Sequence, residues 1–412
     1  MMLSPFTIIL IILQVIAGVI IGWSGFVAFF GLIRKKEPCG PDKPENRFAV
    51  IICARNEESV IRKLLKSLEA QKYPADRWHV YLLADHCTDR TASIARSFPF
   101  VTCYERFDGP TDGKGAVLAW GMAKILREKK ETFDAFLVFD ADNVATPDFM
   151  KRINQHLNKG NGVVQGNRLA GQPFRTMITQ WYAAYWPLYS YIYSYPREKL
   201  GFSCFLTGTG FAVKKSLLEQ YGWSTSSITE DVEFAFQQCL RGSRTSFCID
   251  AVCYDEQPSS FVVMMRQLAR WCTGNYQIFV RYLPRWIRAF AGKKASRRKL
   301  IDNMSLLLVG PASIVMMLTT ILLNYMFYRS EAGQVFIIMQ IIMFFAGYIF
   351  TIIGAAITAW FAGIGRRKLM PGLLTFPVFL WLYTLCSLYS LLFPQKRWKP
   401  ITHEGLTNDG SS

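Results

Sequence analysis

Ala135-Phe136-Leu137-Val138-Phe139-Asp140-Ala141-Asp142 is a run of five apolar residues that ends on two carboxylates. A short apolar run with polar flanks predicts a strand buried on both faces. Phe48–Ala54, His79–Ala84, Val101–Glu105 and Gly162–Gln165 read the same way. Helical patterns fall between them, at Ser59–Ala70, Thr88–Ser97, Gly115–Glu128 and Pro147–Asn158. This alternation predicts one α/β domain over residues 44–275, with a mostly parallel sheet covered by helices. Ligands of such sheets bind beyond the carboxyl ends of the strands. Polar residues just after each strand are therefore the site candidates.

Of 412 residues, 47 are Lys or Arg and 30 are Asp or Glu, a net charge of +17. Hydrophobic residues make up 51%, which excludes a disordered chain. The excess charge sits in four acid-free patches: 34–36, 281–299, 366–368 and 396–399. The remainder is balanced, so a soluble nucleic-acid binder is not expected, and no nucleic-acid partner is.

Each patch borders a long uncharged run: Pro5–Ile33, Met304–Tyr328, Val335–Ala362 and Met370–Phe393. Each is long enough for a bilayer core of about 20 helical residues. Basic residues collect on the cytosolic side. That places the N-terminus outside and the large domain in the cytosol, in a multi-pass protein of the plasma membrane. The fourth run either crosses or, through Pro371 and Pro377, bends back. Between domain and second span, Ile278, Phe279, Tyr282, Trp286, Ile287 and Phe290 alternate with Arg281, Arg285 and Arg288. Such a stretch suits the membrane interface. The expected division is an N-terminal span (1–36), the α/β domain (44–275), an interface helix with basic linker (276–300), C-terminal spans (301–395) and a basic tail (396–412).

The ten cysteines form no CxxC pair, so zinc-site spacing is absent and reduced thiols are expected. Asp85 follows the second strand, placed either to cap a helix or to accept base or ribose hydrogen bonds. Asp140 and Asp142 suit Mg²⁺, which binds through one or two carboxylates plus substrate phosphates. Thr229-Glu230-Asp231 opens a predicted helix over 232–240. Its acids either favour the helix dipole or take a proton from an acceptor hydroxyl. Gln267 and Arg270 share a helical face, with Trp271 beside them. Lys114, at a helix start, is placed to meet phosphate. Gly208-Thr209-Gly210 reads as a turn or a close backbone approach. Trp181, Tyr185 and Tyr189 recur every four residues, as do Tyr182 and Trp186. That stripe suits core packing, a sugar path or a membrane edge.

In order, Asp85, Asp140-Ala141-Asp142, Thr229-Glu230-Asp231 and Gln267-Leu268-Ala269-Arg270-Trp271 form a D, DxD, TED, QxxRW series. The series resembles the membrane-embedded family-2 glycosyltransferases, the group of cellulose, hyaluronan and poly-N-acetylglucosamine synthases. The resemblance implies a GT-A fold that uses a UDP-sugar. By it, Asp85 contacts uridine, and Asp140 and Asp142 hold the nucleotide and Mg²⁺ or Mn²⁺. Asp231 is the catalytic base, with Glu230 beside it. Lys114, Gln267 and Arg270 hold the diphosphate side, and Trp271 and Thr229 the acceptor. The implied activity is inverting, processive polymerisation of UDP-glucose or UDP-N-acetylglucosamine into a β-linked glycan extruded through the membrane segments. Ceramide glucosyltransferases have a similar series, so single addition to a lipid acceptor is the alternative. The TED acids differ from the GDDR-like pattern of hyaluronan and chitin synthases.

Overall fold

The computed structural model describes residues 4–32, 40–109, 111, 113–128, 132–293, 295–328 and 330–395. The basic residues at 34–36 and 396–399, together with Cys39, lie outside them.

Eight strands form one sheet: β1 (Phe48–Ala54), β2 (Trp78–Asp85), β3 (Val101–Arg106), β4 (Ala135–Asp140), β5 (Val144–Ala145), β6 (Val163–Ala170), β7 (Phe211–Lys214) and β8 (Thr245–Asp255). Their spatial order is β3-β2-β1-β4-β7-β6-β8-β5. The β3-β2-β1-β4 half is parallel, as is the β6–β8 pair. β7 runs antiparallel between β4 and β6, and β5 pairs antiparallel with β8. The sheet is thus mixed and mostly parallel. Three strands lie outside the five expected from sequence, and β6 extends past its expected end, through Arg168 to Ala170.

The helices are α1 (Pro5–Leu32), α2 (Ile61–Glu69), α3 (Thr91–Arg96), α4 (Lys114–Glu128), α5 (Phe149–Asn158), α6 (Met177–Leu188), α7 (Tyr195–Leu200), α8 (Lys215–Tyr221), α9 (Glu230–Leu240), α10 (Phe261–Ala291), α11 (Arg297–Phe327), α12 (Glu331–Phe361) and α13 (Arg366–Leu392). A π-helical turn, Tyr189–Ser194, joins α6 to α7. Successive strand residues face opposite layers. Phe48, Val50 and Ile52 pack with α2 and α5, while Ala49 and Ile51 pack with α4 and α9. Both faces are covered, which is why β1 is apolar throughout.

Register positions the site. Ala54 lies opposite Ala84, and Cys53 opposite Asp140. Arg55, Asp85 and Asp140 therefore leave the sheet along one edge.

Four helices are long and apolar enough to cross a membrane: Pro5–Phe30, Arg297–Phe327, Gly333–Phe361 and Arg367–Leu392. On α12 none of the most apolar stretch is buried, and Ile338, Met339, Ile342 and Met343 face outward. Exposed apolar surface of that extent fits lipid contact. α13 is one helix that contains both Pro371 and Pro377, with no break for a re-entrant turn. Its N-terminal part is tied to α6, where Gly372 N donates to Gln180 Oε1 at 2.8 Å.

The interface stretch differs from its sequence reading. It is no separate helix, because α10 runs unbroken from Phe261 to Ala291 with Pro284 inside. Most of its apolar face also meets protein. Ile278 and Tyr282 are buried, and Phe279 and Trp286 pack on the same core. Val280 and Ile287 remain exposed. The nine described cysteines are all free, six of them buried.

Candidate active site

All ten sequence candidates line one cavity of about 790 Å³ at the carboxyl edge of the sheet. These are Asp85, Lys114, Asp140, Asp142, Thr229, Glu230, Asp231, Gln267, Arg270 and Trp271.

Asp85 closes one end. Its Oδ1 accepts from Arg106 Nη1 at 2.7 Å and meets His86 Nδ1 at 2.9 Å. Arg55 pairs with Oδ2. Burial opposes its charge, but the bonds from His86 and Arg106 and the Arg55 charge hold its carboxyl below the usual range. A carboxylate offers about four acceptor positions, so a nucleotide would join three partners already present. Asp89 is structural, since it accepts from the backbone N–H groups of Thr91 and Glu58, both at 3.0 Å.

Lys114 starts α4 and reaches across the cavity. Its Nζ pairs with Asp140 and donates to Gly208 O at 2.6 Å. Burial works against the ammonium, but Asp140 outweighs it and raises the group above its ordinary value. Gly208 has φ +86°, and a Cβ there would sit 3.6 Å from Asp231 Oδ2. The Gly208-Thr209-Gly210 turn braces the strand end, because Asp140 N donates to Thr209 Oγ1 at 3.0 Å.

Asp142 is buried. Burial and the neighbouring Asp140 and Asp255 push its carboxyl well above the usual range. Carboxylates crowded in this way ionise readily only beside a cation. Among the described residues no three His, Cys, Asp or Glu side chains form a metal-holding group. Two neighbouring carboxylates suit Mg²⁺ or Mn²⁺, which commonly binds through one or two carboxylates with substrate phosphates and water as its other ligands. The donor set therefore fits a divalent cation.

Thr229 precedes α9, so Glu230 and Asp231 occupy its first turn. Burial and Asp231 push Glu230 up to about 7, while Lys114 and Arg270 pull it back. Burial also raises Asp231, against the Val232 N–H and Arg270. A carboxylate tuned toward neutrality suits general-base work. The Thr229 hydroxyl is buried without a hydrogen-bond partner among the described residues. It lies against Gly274 of α10, where a Cβ would sit 2.1 Å from its Oγ1.

α10 brings the QxxRW group in from the other side. Gln267 Oε1 accepts from Tyr182 OH at 2.5 Å, and Arg270 Nη1 donates to Ile228 O at 3.3 Å. Trp271 stacks on Tyr185 at 6.2 Å and meets Trp186 edge-on at 5.8 Å. The aromatic stripe thus divides. Tyr185, Trp186 and Tyr189 line the cavity. Trp181 turns away and donates to Thr375 Oγ1 at 2.9 Å.

Arg168 and Asp255 are absent from the sequence candidates. Arg168 Nε donates to Asp255 Oδ2 at 2.7 Å and Nη1 to Thr207 O at 2.7 Å. Its guanidinium lies 4.3 Å from the Trp186 ring centroid. This buried cation faces the carboxylate cluster and partly neutralises it.

Beyond Trp271 the cavity changes character. Its walls become Leu306, Val309 and Pro311 of α11 and Leu380, Tyr383 and Thr384 of α13. One space joins the carboxylates to two of the apolar helices.

A family model described as "Glycosyltransferase like family 2" matches residues 44–274, more than half of the chain. A β-monoglucosyldiacylglycerol synthase of Synechocystis sp. is 26% identical over 272 residues, covering 65% of this chain and 54% of that protein. A poly-β-1,6-N-acetyl-D-glucosamine synthase of Staphylococcus aureus is 26% identical over 264 residues, covering 60% and 59%. The chain spans about half the length of the curated relatives it matches. The mannosyltransferase PcManGT of Pyrobaculum calidifontis, solved with GDP-mannose and Mn²⁺, superposes with a TM-score of 0.58 at 17% identity. It covers 93% of this chain and all of its own, a likeness of fold.

Proposed function

This chain belongs to glycosyltransferase-like family 2, and from that premise we propose that it transfers a single sugar from a UDP-sugar to the hydroxyl of a membrane lipid, with inversion at the anomeric carbon. The carrying observation is the cavity that leads from Asp231 to the apolar walls of α11 and α13. A lipid acceptor is polar at one end and apolar at the other, and so is this space. The glucosyldiacylglycerol synthase among the relatives agrees with that choice.

In this reading each residue around the cavity takes a role. Asp85 marks the nucleoside end. A divalent cation held by Asp140 and Asp142 would supply charge neutralisation for the diphosphate. Lys114 and Arg270 add fixed positive charge where the leaving group develops its own. Asp231 takes the acceptor proton as that oxygen bonds to the anomeric carbon. The bond from that carbon to the UDP oxygen breaks in the same step. One displacement converts an α-linked donor into a β-linked product. Trp271 offers a flat face to the sugar, and Gln267 is oriented by Tyr182. In this reading the spans form a multi-pass protein, with the α/β domain on the cytosolic side where Arg297, Arg298 and Lys299 begin α11.

A second reading, processive synthesis of a β-linked polysaccharide, has its own observation. Trp271, Tyr185, Trp186, Tyr189 and Tyr193 line the same cavity and offer successive flat faces to a growing glycan. One assay separates the readings. Purified protein is incubated with radiolabelled UDP-sugars, Mg²⁺ or Mn²⁺, and diacylglycerol or ceramide. A solvent-extractable product with one sugar is expected. A long water-soluble polymer would overturn the lipid reading in favour of the second.

A further inference from the structure

The second half of α10 carries a feature that the transfer reaction does not use. Arg281, Arg285 and Arg288 follow one side of the helix. Arg241, at the C-terminal end of α9, lines with them a second, adjoining cavity of about 660 Å³. Ser224, Ser226, Gln237 and Tyr282 complete its wall.

Among the described residues, Arg281 alone of the four has an acid within ion-pair distance, with Nη1 3.8 Å from Glu233. Glu233 is already engaged: it accepts from Ser226 N at 2.8 Å, Ser227 N at 2.6 Å and Tyr282 OH at 2.7 Å. Arg241, Arg285 and Arg288 form no ion pair among the described residues. Arg285 and Arg241 lie against the rings of Tyr282 and Tyr221, at 5.2 and 4.2 Å. Arg288 Nε donates to Pro284 O of its own helix, at 3.3 Å. Arg241 Nη1 is buried with no acceptor among the described residues. A buried guanidinium donor left unfilled is costly. A groove edged by several unmatched guanidiniums has the donor geometry of a phosphate site.

Its surroundings bear on what would carry such a phosphate. Val280 and Ile287, on the same stretch of α10, are 72% and 54% exposed. Trp286 Nε1 donates to Leu300 O at 3.0 Å, which ties the groove to the first turn of α11. Ile301 of that turn is 47% exposed. The groove therefore lies beside the first turn of the apolar span, with exposed apolar residues on the neighbouring face of α10 and on α11.

We propose that this groove between α9 and α10 binds the phosphate of an anionic bilayer lipid. A soluble phosphate has no use for the exposed apolar residues beside the groove. The groove adjoins the nucleotide cavity, with Ser226 on both walls, but its four arginines line the groove alone, and it does not depend on which acceptor is glycosylated.

The test reads lipid retention, so it is independent of transferase activity. The full chain is purified in detergent, and phosphatidylglycerol retention is measured by native mass spectrometry and thermal shift. Phosphatidylcholine and inorganic phosphate are the comparison probes. The wild type is expected to retain phosphatidylglycerol in preference to phosphatidylcholine. The Arg241→Gln/Arg285→Gln/Arg288→Gln variant is expected to bind it about tenfold more weakly or worse. Should the triple variant fail to fold, the exposed Arg285→Gln alone is expected to weaken retention in the same direction. Equal retention by the variants, equal retention of phosphatidylcholine, or equal stabilisation by inorganic phosphate would each overturn the proposal.

Discussion

Arg197 and Asp302 form an ion pair with no access to solvent: Nε meets Oδ2 at 2.9 Å and Nη2 meets Oδ1 at 3.1 Å, with the side chains 1% and 0% exposed. Trp23 Nε1 donates to the same Oδ1 at 3.0 Å. One carboxylate thus joins α1, α7 and α11. Removing one partner of a buried pair leaves an uncompensated charge, at a cost of about 3–5 kcal/mol. Asp302→Leu is expected to cost that much in a denaturation series in detergent. Arg197→Met/Asp302→Leu is expected to recover most of it. If the double variant is no better than the single, the pair is not what joins these helices.

Asp231→Asn keeps the shape of the site and removes the proton acceptor. Turnover is expected to fall by about 10²–10⁴-fold, with UDP affinity nearly unchanged by calorimetry. A wild-type rate in this variant would take the base role away from Asp231.

The two acids of α9 set a pH dependence. Glu230 lies at about 7 and Asp231 is raised, so the two titrate as a pair. A base acts only when ionised, so kcat/KM is expected to rise with pH through the neutral range. Glu230→Gln removes the like charge beside Asp231. Its limb is expected to move to lower pH, by about one unit. Stability has the opposite sign. A carboxyl raised on folding contributes most below its unfolded value of about 4.3. That contribution is lost as pH climbs through about 7. Unfolding of Glu230→Gln is therefore expected to vary less between pH 5 and 8. An unmoved limb in the rate profile would detach Glu230 from the base.

Gly274→Ala tests the contact between α10 and the TED turn. The new Cβ would lie 2.1 Å from Thr229 Oγ1 and 2.8 Å from Thr229 Cβ, so α9 or α10 has to shift. Displacement of about 1 Å at a catalytic group costs about 10²-fold in rate, and a loss of that order is expected in kcat. Adding Thr229→Ala removes the nearest atoms and is expected to restore part of the rate. Full activity of Gly274→Ala alone would show that the turn tolerates the shift.

Chelation addresses the crowding around Asp142. EDTA is expected to abolish transfer, and Mg²⁺ or Mn²⁺ to restore it. Unchanged turnover after exhaustive chelation would remove the cation from the proposed mechanism.

What was legible in sequence follows from burial. β1 and β4 are apolar because helices cover both their faces, so their runs read directly. The polar half of β6 and the mixed β8 carry Asn167, Arg168, Ser246 and Asp250, and such residues read as loop. Arg168 and Asp255 are 87 positions apart and meet only through strand pairing. No local spacing could announce them. The DxD, TED and QxxRW groups are local, and all three were legible. On α10, periodicity marked an apolar face, but only tertiary structure says that α9 and α11 cover most of it. The prolines of α13 allow a re-entrant or kinked segment by sequence, and the segment is one continuous helix packed on α6 and α10.

Asp302 leads to one more consequence. Because α1 and α11 are pinned at one carboxylate, the catalytic edge in the proposed reading stands at a fixed height above the bilayer. A lipid acceptor is then searched for in two dimensions. Its effective concentration is a mole fraction of the membrane, and diluting it with inert lipid slows the enzyme even when the amount per volume is constant.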